Sequence, residues 1–303
     1  SIGVTFDESH NNTLTPLVQP ANQLPRHDLS QLLTIRLRNS GNDFFHTMIK
    51  DMAYTQLAID AGLDLELSYY AGATQVFVNG EWLGMLNLRT ESTLNGVAPL
   101  VGASPEALSF FRVDNKNGNL EFREGDASYG ERLEQAIKAE DSDVIWEMVD
   151  VSNFLDYVIF QDYVGNFDWP HNNARAYSVQ GAPLRFVLFD LDLVAYQNKN
   201  HKLPELEYVS EDIGKIYRAL RNRDTEAWDE RVKNRQRDLY ASFSPEHFNQ
   251  TVDHLAKAIE KEIPYQIARY GAPKSTLHWR QELDLLKREF EKRDQFARRK
   301  YNL

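Results

Sequence analysis

Apolar residues recur along the chain with two different periods, and the changes between them mark out its elements. Phe45, Met48, Ile49, Met52 and Ala53 fall at i, i+3, i+4, i+7 and i+8, the stripe of a buried helix. Asp43 stands where an N-cap acceptor belongs, and Gly62 where a left-handed stop belongs. A short strand over Leu32 to Leu37 precedes this helix. Alternation then takes over. Thr74 to Val78 and Glu81 to Leu88 flank Asn79-Gly80, a pair that tolerates the positive φ angles of a type I′ turn, so 74–88 is expected to be a hairpin. A second hairpin is expected to join Leu108–Val113 to Leu120–Arg123 through Asn115 to Asn119. Helices are expected at 129–139, 143–149 and 152–164, the last burying Val151, Phe154, Leu155, Val158 and Ile159 on a 3.6-residue period. A loop at 165–173 leads to a strand pair, 174–179 and 184–190, around Gln180-Gly181-Ala182-Pro183. Phe186, Val187, Leu188 and Phe189 are apolar on both faces, which predicts a buried, central strand. From 204 onward the pattern is helical. Ser244-Pro245 marks a start, Gly271 and Pro273 a stop, and a long final helix covers 276–300.

This order of elements divides the chain three ways. Residues 1–30 are polar, with prolines at 16, 20 and 25, and read as an irregular arm. Residues 31–125 are β-rich with one main helix, and residues 126–303 are mainly helical and carry the 165–173 loop and its strand pair. The fold class is α+β, and 303 residues suit two domains or one two-lobed unit. No internal repeat or low-complexity tract interrupts it.

Composition narrows the partners. Thirty-four basic residues against 45 acidic ones give a net charge of −11, a balance that repels phosphate backbones and argues against nucleic acid. The basic run from Lys287 to Lys300 is interleaved with Glu289, Glu291 and Asp294, as on a solvated helix face. No stretch approaches the ~18 apolar residues that a membrane span needs. Cysteine is absent, which excludes disulfides, thiolate metal sites and a cysteine nucleophile. Ser1 to Ser30 shows no basic start followed by an apolar block, so no signal peptide is visible there.

The candidate chemistry is concentrated in one stretch. Asp168 and Asn173 are five residues apart in a loop, and Asp190 and Asp192 close the apolar strand that follows. Phosphoryl transfer needs a carboxylate to orient the attacking hydroxyl and oxygen ligands to hold cations against phosphates. Protein kinases use an Asp, an Asn five positions later and a second Asp after a hairpin, an order that Asp168, Asn173 and Asp190 reproduce. Asp192 is expected on the strand face of Asp190, because side chains alternate. The plainer alternative is that these residues only close turns. His171, inside the loop, is a candidate phosphate or metal contact, and Arg89 a candidate phosphate contact from the hairpin end, each against a surface role. Trp82 and Trp169 could line a cleft or simply pack. His247 and His254 are seven apart, which does not match the helical metal-pair spacing of four. No nucleophile elbow is present.

The run Gln161-Asp162-Tyr163-Val164-Gly165-Asn166-Phe167-Asp168-Trp169-Pro170-His171-Asn172-Asn173, followed by Phe189-Asp190-Leu191-Asp192, resembles the core signature of the CotH family, spore-coat-type proteins with an atypical protein-kinase fold. Leu37-Arg38-Asn39-Ser40-Gly41-Asn42-Asp43, Val76 to Gly84 with Asn87-Leu88-Arg89, and Phe290-Glu291-Lys292-Arg293 are similar to further family segments, in family order. The resemblance implies a two-lobed, kinase-like fold with a β-rich N-terminal lobe and a largely helical C-terminal lobe. It implies a metal-dependent transfer of the γ-phosphoryl of ATP to Ser or Thr of a secreted or surface protein. Asp168 would orient the acceptor, Asn173 and Asp190 would hold Mg²⁺ (or Mn²⁺ or Ca²⁺), and Asp192 would support them. The chain departs from the family pattern where a Lys-containing strand offers only Arg36 and Arg38, where Thr90 precedes Glu91, and where Leu184 replaces a tryptophan at the adenine face. No glycine-rich phosphate loop is present. A non-catalytic coat or surface scaffold, with or without a bound cation, is therefore the alternative, and a carboxylate-metal phosphohydrolase a third.

Overall fold

The computed structural model describes residues 1–5, 34–195 and 206–302. Most of the expected arm, residues 6–30, and the start of the expected strand at Leu32 therefore lie outside the described residues. Its first residues do not fit an irregular arm: Ile2–Thr5 form a strand (β1). β1 pairs antiparallel with β2, Thr34–Arg38.

The Asn79-Gly80 hairpin forms as its turn chemistry requires. Both residues take positive φ, 53° and 82°, and they join β4 (Tyr70–Val78) to β5 (Glu81–Thr90). With β1 and β2 these strands make a four-stranded sheet in the order β1-β2-β5-β4. The second sheet has five strands, β3-β9-β8-β6-β7. It comprises β3 (Glu66–Leu67), β6 (Leu108–Val113), β7 (Leu120–Glu124), β8 (Arg175–Val179) and β9 (Arg185–Leu188). Strands from before and after residue 125 thus share one ladder, with Leu108 to Arg112 paired against Val179 to Arg175. β9 has a neighbour on each side and buries Phe186, Val187 and Leu188 completely. It stops at Leu188, before Phe189 and Asp190.

The two sheets are joined at residues 68–69. Ser68 donates its N–H to Leu188 O (3.0 Å) in the second sheet, and Thr90 in the first donates to Tyr69 O (2.8 Å).

The first helix, α1, spans Lys50–Asp60, later than the Asp43 cap predicted. A 3-10 turn at Gly41–Phe45 intervenes, and Phe45 is exposed on it. Asp43 nevertheless reaches the helix from one turn back. Its buried carboxylate accepts from Thr47 N (3.0 Å), Thr47 Oγ1 (2.6 Å) and Lys50 N (2.9 Å), so it still satisfies an unpaired first-turn donor. α2 (Leu94–Leu100) covers a small apolar cluster on the second sheet that includes Phe110 and Tyr177. α3 (Ala127–Ala139), α4 (Ser142–Met148) and α5 (Val151–Val164) follow, each capped by an aspartate: Asp126, Asp141 and Asp150.

α5 is the pillar of the core. Twelve of its 14 residues are buried, so its position is fixed by apolar burial worth about 1.5–3 kcal/mol for each large side chain. α7 (Thr225–Ser242) and α10 (Thr276–Tyr301) pack on it, while α6 (Asp212–Arg223) packs on α3, α4 and α7, α8 (Pro245–Ile259) on α1 and α10, and α9 (Ile263–Tyr270) on β5 and α10. Tyr163 of α5 meets Phe243 at 4.2 Å and Phe290 of α10 at 6.2 Å between ring centroids. The basic run of α10 is largely paired: Lys287 with Asp253, Arg298 with Asp294, and Lys300 with Asp162. No helix among the described residues is long and apolar enough to cross a membrane.

Candidate functional site

The loop after α5 starts from a fixed point. Gly165 takes φ 60° as the left-handed cap of α5, which glycine adopts without steric cost. Arg293 of α10 donates through Nε to Tyr163 O (2.6 Å) and through Nη2 to Asp162 O, so the carbonyls at this helix end meet a cation. Asn166 is buried and donates to Gln161 Oε1 (2.9 Å), and its own Oδ1 accepts from Asp168 N (3.2 Å). Trp169 is buried, edge-on to Tyr157 at 6.0 Å, and it also lines a cavity of about 350 Å³ with Asp162 and Tyr217. Trp82 likewise lies edge-on to Tyr265.

Asp168 and Asn173 face each other across this loop, Asn173 Nδ2 lying 3.5 Å from Asp168 Oδ2. Asn173 holds φ 53°, a left-handed conformation that asparagine tolerates. With its Nδ2 turned to Asp168, its Oδ1 is left as a possible ligand. Burial raises the Asp168 carboxyl above the ordinary carboxylate range; His171 opposes the shift and the charge of Asp192 adds to it. His171 itself is exposed.

Asp190 and Asp192 come together differently from the alternation expected. The strand has ended, and Asp190 takes φ 59°, so the two do not share a strand face. Arg38, the last residue of β2, unites them: its Nη2 donates to Asp190 Oδ1 and to Asp192 Oδ2 (2.8 Å). Asp192, 3% exposed, also accepts from Asn42 N (2.9 Å) and Asn42 Nδ2 (3.2 Å). Burial opposes the charge on Arg38, but Asp51, Asp190 and Asp192 outweigh it and raise its pKa. Burial pushes Asp190 up to about 6, with Asp192 and Asp51 adding to the shift against Arg38.

Loop and turn are stitched together. Phe167 N donates to Leu193 O (3.3 Å), and Asn166 forms a β-bridge with Val194. The residues of the two stretches, 165–173 and 190–195, thus form one local structure.

Arg89 stands one layer behind. It is 3% exposed and donates to Asp51 Oδ2 (2.7 Å), while Asp51 Oδ1 accepts from Leu191 N (3.0 Å). The ion pair is buried, not the surface pair weighed from sequence. Burial works against the Asp51 charge, yet Arg89, Arg38 and the Leu191 N–H hold its carboxyl below the usual range. Leu184 is fully buried, its N–H donating to Met148 O (2.7 Å). His247 is tied to Asp60 (2.7 Å).

Two residues were missed by sequence reasoning as organisers of this region: Arg38, the cation on Asp190 and Asp192, and Asp51, the shared acceptor of Arg89 and Leu191. The signal for Arg38 was its position at the end of a strand otherwise lacking lysine. Asp51 had none, because an acidic residue in a helix's first turn is commonplace. The donors that would suit a cation are oxygens, Asn173 Oδ1 and the Asp190 carboxylate. Among the described residues no group of three or more His, Cys, Asp or Glu forms a metal site by itself. Such a sparse oxygen set fits a hard cation completed by water and phosphate.

A family model described as CotH kinase protein matches residues 110–297, more than half of the chain and all four of Asp168, Asn173, Asp190 and Asp192. No curated protein matches the chain.

Proposed function

We propose, from the premise that this chain belongs to the CotH kinase protein family, that it is a metal-dependent phosphotransferase carrying the γ-phosphoryl of ATP to Ser or Thr of a secreted or surface protein. The observation that carries this reading is the stitching of the Asp168–Asn173 loop to the Asp190–Asp192 turn. It accompanies a carboxyl at Asp168 that burial raises, with Asn173 facing it and the charge of Asp192 felt across the junction.

Asp168 is the residue for the acceptor hydroxyl. Its carboxylate accepts that hydroxyl's hydrogen bond and takes the proton as the oxygen attacks phosphorus. Asn173 Oδ1 and Asp190 would hold Mg²⁺, Mn²⁺ or Ca²⁺, which when bound supplies positive charge to the phosphoryl oxygens. Asp192 fixes the turn by binding Asn42 and Arg38. Arg38, the cation at the end of β2, holds Asp190 and Asp192 together and would add positive charge beside a bound phosphate. The two sheets with their helices are read as the two lobes of a kinase-like fold, and family membership favours a coat or surface setting.

The test is incubation with [γ-³²P]ATP, Mn²⁺ or Mg²⁺ and a Ser-rich acceptor. Label transfer is expected for the wild type and absent for Asp168→Asn; equal labelling by the two rejects catalysis. One observation favours a second reading, a non-catalytic scaffold: Arg38 already neutralises both Asp190 and Asp192. In thermal unfolding, nucleotide with Mg²⁺ at ~100 times its dissociation constant stabilises a binder by ~2.7 kcal/mol. If ADP with Mg²⁺ stabilises the wild type no more than Asp190→Asn, the scaffold reading prevails.

A further inference from the structure

Of the arginines where the two sheets meet, Arg38 and Arg89 are engaged by Asp190, Asp192 and Asp51. Arg36, Arg112 and Arg175 are not absorbed by that network. Arg112 and Arg175 are direct partners across β6 and β8, so their side chains leave the same face of the second sheet. Phe110 and Tyr177, two residues along each strand, belong to the apolar cluster under α2, so the two arginines lie at the end of that face. Like charges placed directly opposite across an antiparallel ladder are destabilising.

Arg175 is anchored. Its guanidinium lies 4.3 Å from the centre of the Phe189 ring, and Nη1 donates to the carbonyl and the hydroxyl of Ser92. Arg36, from the first sheet, pairs with the adjacent residue, Glu91, at 2.9 Å while its side chain stays 39% exposed. The arginines of the two sheets therefore flank one short stretch, Glu91-Ser92. Of the three guanidiniums, Arg36 is paired with Glu91 and Arg175 is held by the uncharged Ser92 and Phe189, in a chain whose net charge is −11.

We propose that Arg36, Arg112 and Arg175 form a phosphate-binding site beside Asp190. The guanidinium fork matches phosphate oxygens in pairs, and an added dianion relieves the repulsion among the three. The phosphate is that of a nucleotide or of a phosphoserine already on an acceptor; both present the same oxygens. What the phosphate does there rests on the phosphotransfer reading, but its binding does not.

The experiment is calorimetric titration of the full chain with inorganic pyrophosphate in metal-free buffer, repeated with ADP and with a phosphoserine peptide. Wild type binds pyrophosphate, and Arg36→Gln and Arg112→Gln each weaken it about tenfold, the effect of one charged hydrogen-bonding partner. Both side chains reach solvent, and an unchanged circular-dichroism melt of the double variant shows that the fold is kept. A matching loss for ADP assigns the site to nucleotide, and a matching loss for the peptide assigns it to the acceptor. Equal pyrophosphate affinity in wild type and double variant, or no binding to the wild type, overturns the proposal. Asp168→Asn separates the two readings: it retains pyrophosphate binding while losing label transfer. Transfer without any pyrophosphate binding would sink the arginine site alone.

Discussion

The Asp168 loop and the Asp192 turn touch each other, yet their carboxylates are treated in opposite ways. Asp192 is buried and accepts from Arg38, Asn42 N and Asn42 Nδ2. Asp168 is half-buried, and the contact to its carboxylate from Asn173 is long, 3.5 Å. A carboxylate whose lone pairs are filled by protein donors serves architecture, whereas one with room to spare can serve a substrate. Two acidic residues in one site thus have different jobs, and stability measurements can tell them apart.

The largest contrast is expected from Asp192→Ala. It leaves Arg38 with one carboxylate and the Asn42 donors with none, and breaking a buried pair costs ~3–5 kcal/mol. Urea unfolding should show that loss; a change below ~1 kcal/mol would remove the architectural role. Next comes pH. Asp190 has a folded pKa of about 6 against an ordinary 3.8, so between those values the folded protein keeps a proton the unfolded chain has lost. Its contribution is complete below pH 3.8 and disappears as pH rises through about 6. Relative to Asp190→Asn, the wild type should therefore lose roughly 1–3 kcal/mol between pH 4 and 7. A flat difference over that range would show that Asp190 is not perturbed. The smallest effect is expected at Asp168. Asp168→Ala should change stability by no more than ~0.5 kcal/mol while abolishing label transfer. A large loss of stability would erase the distinction between the two carboxylates.

Local chemistry made much of this fold legible. The Asn79-Gly80 hairpin, the Leu108–Val113 hairpin, α5 and the Ser244 and Gly271 boundaries follow from turn residues and periodicity. What escaped was one local break and several non-local contacts. The helix expected from Asp43 begins at Lys50, because Ser40 and Met48 take left-handed angles and Asp43 acts across a 3-10 turn. The strand expected to reach Asp190 stops at Leu188, the chain turning where Leu191 N finds Asp51. Nothing within residues 108–124 announces that β6 pairs with β8 some sixty residues later. In the candidate site, the order of Asp168, Asn173 and Asp190 was readable. The partner that unites Asp190 with Asp192 was not, because Arg38 is 152 residues from Asp190 along the chain.

The join at Ser68 and Tyr69 has a mechanical consequence. Leu188 on one sheet and Thr90 on the other are held by neighbouring residues of a single backbone segment. Asp190 lies two residues from Leu188 and Arg89 one residue from Thr90, so a single backbone segment sets the spacing of both.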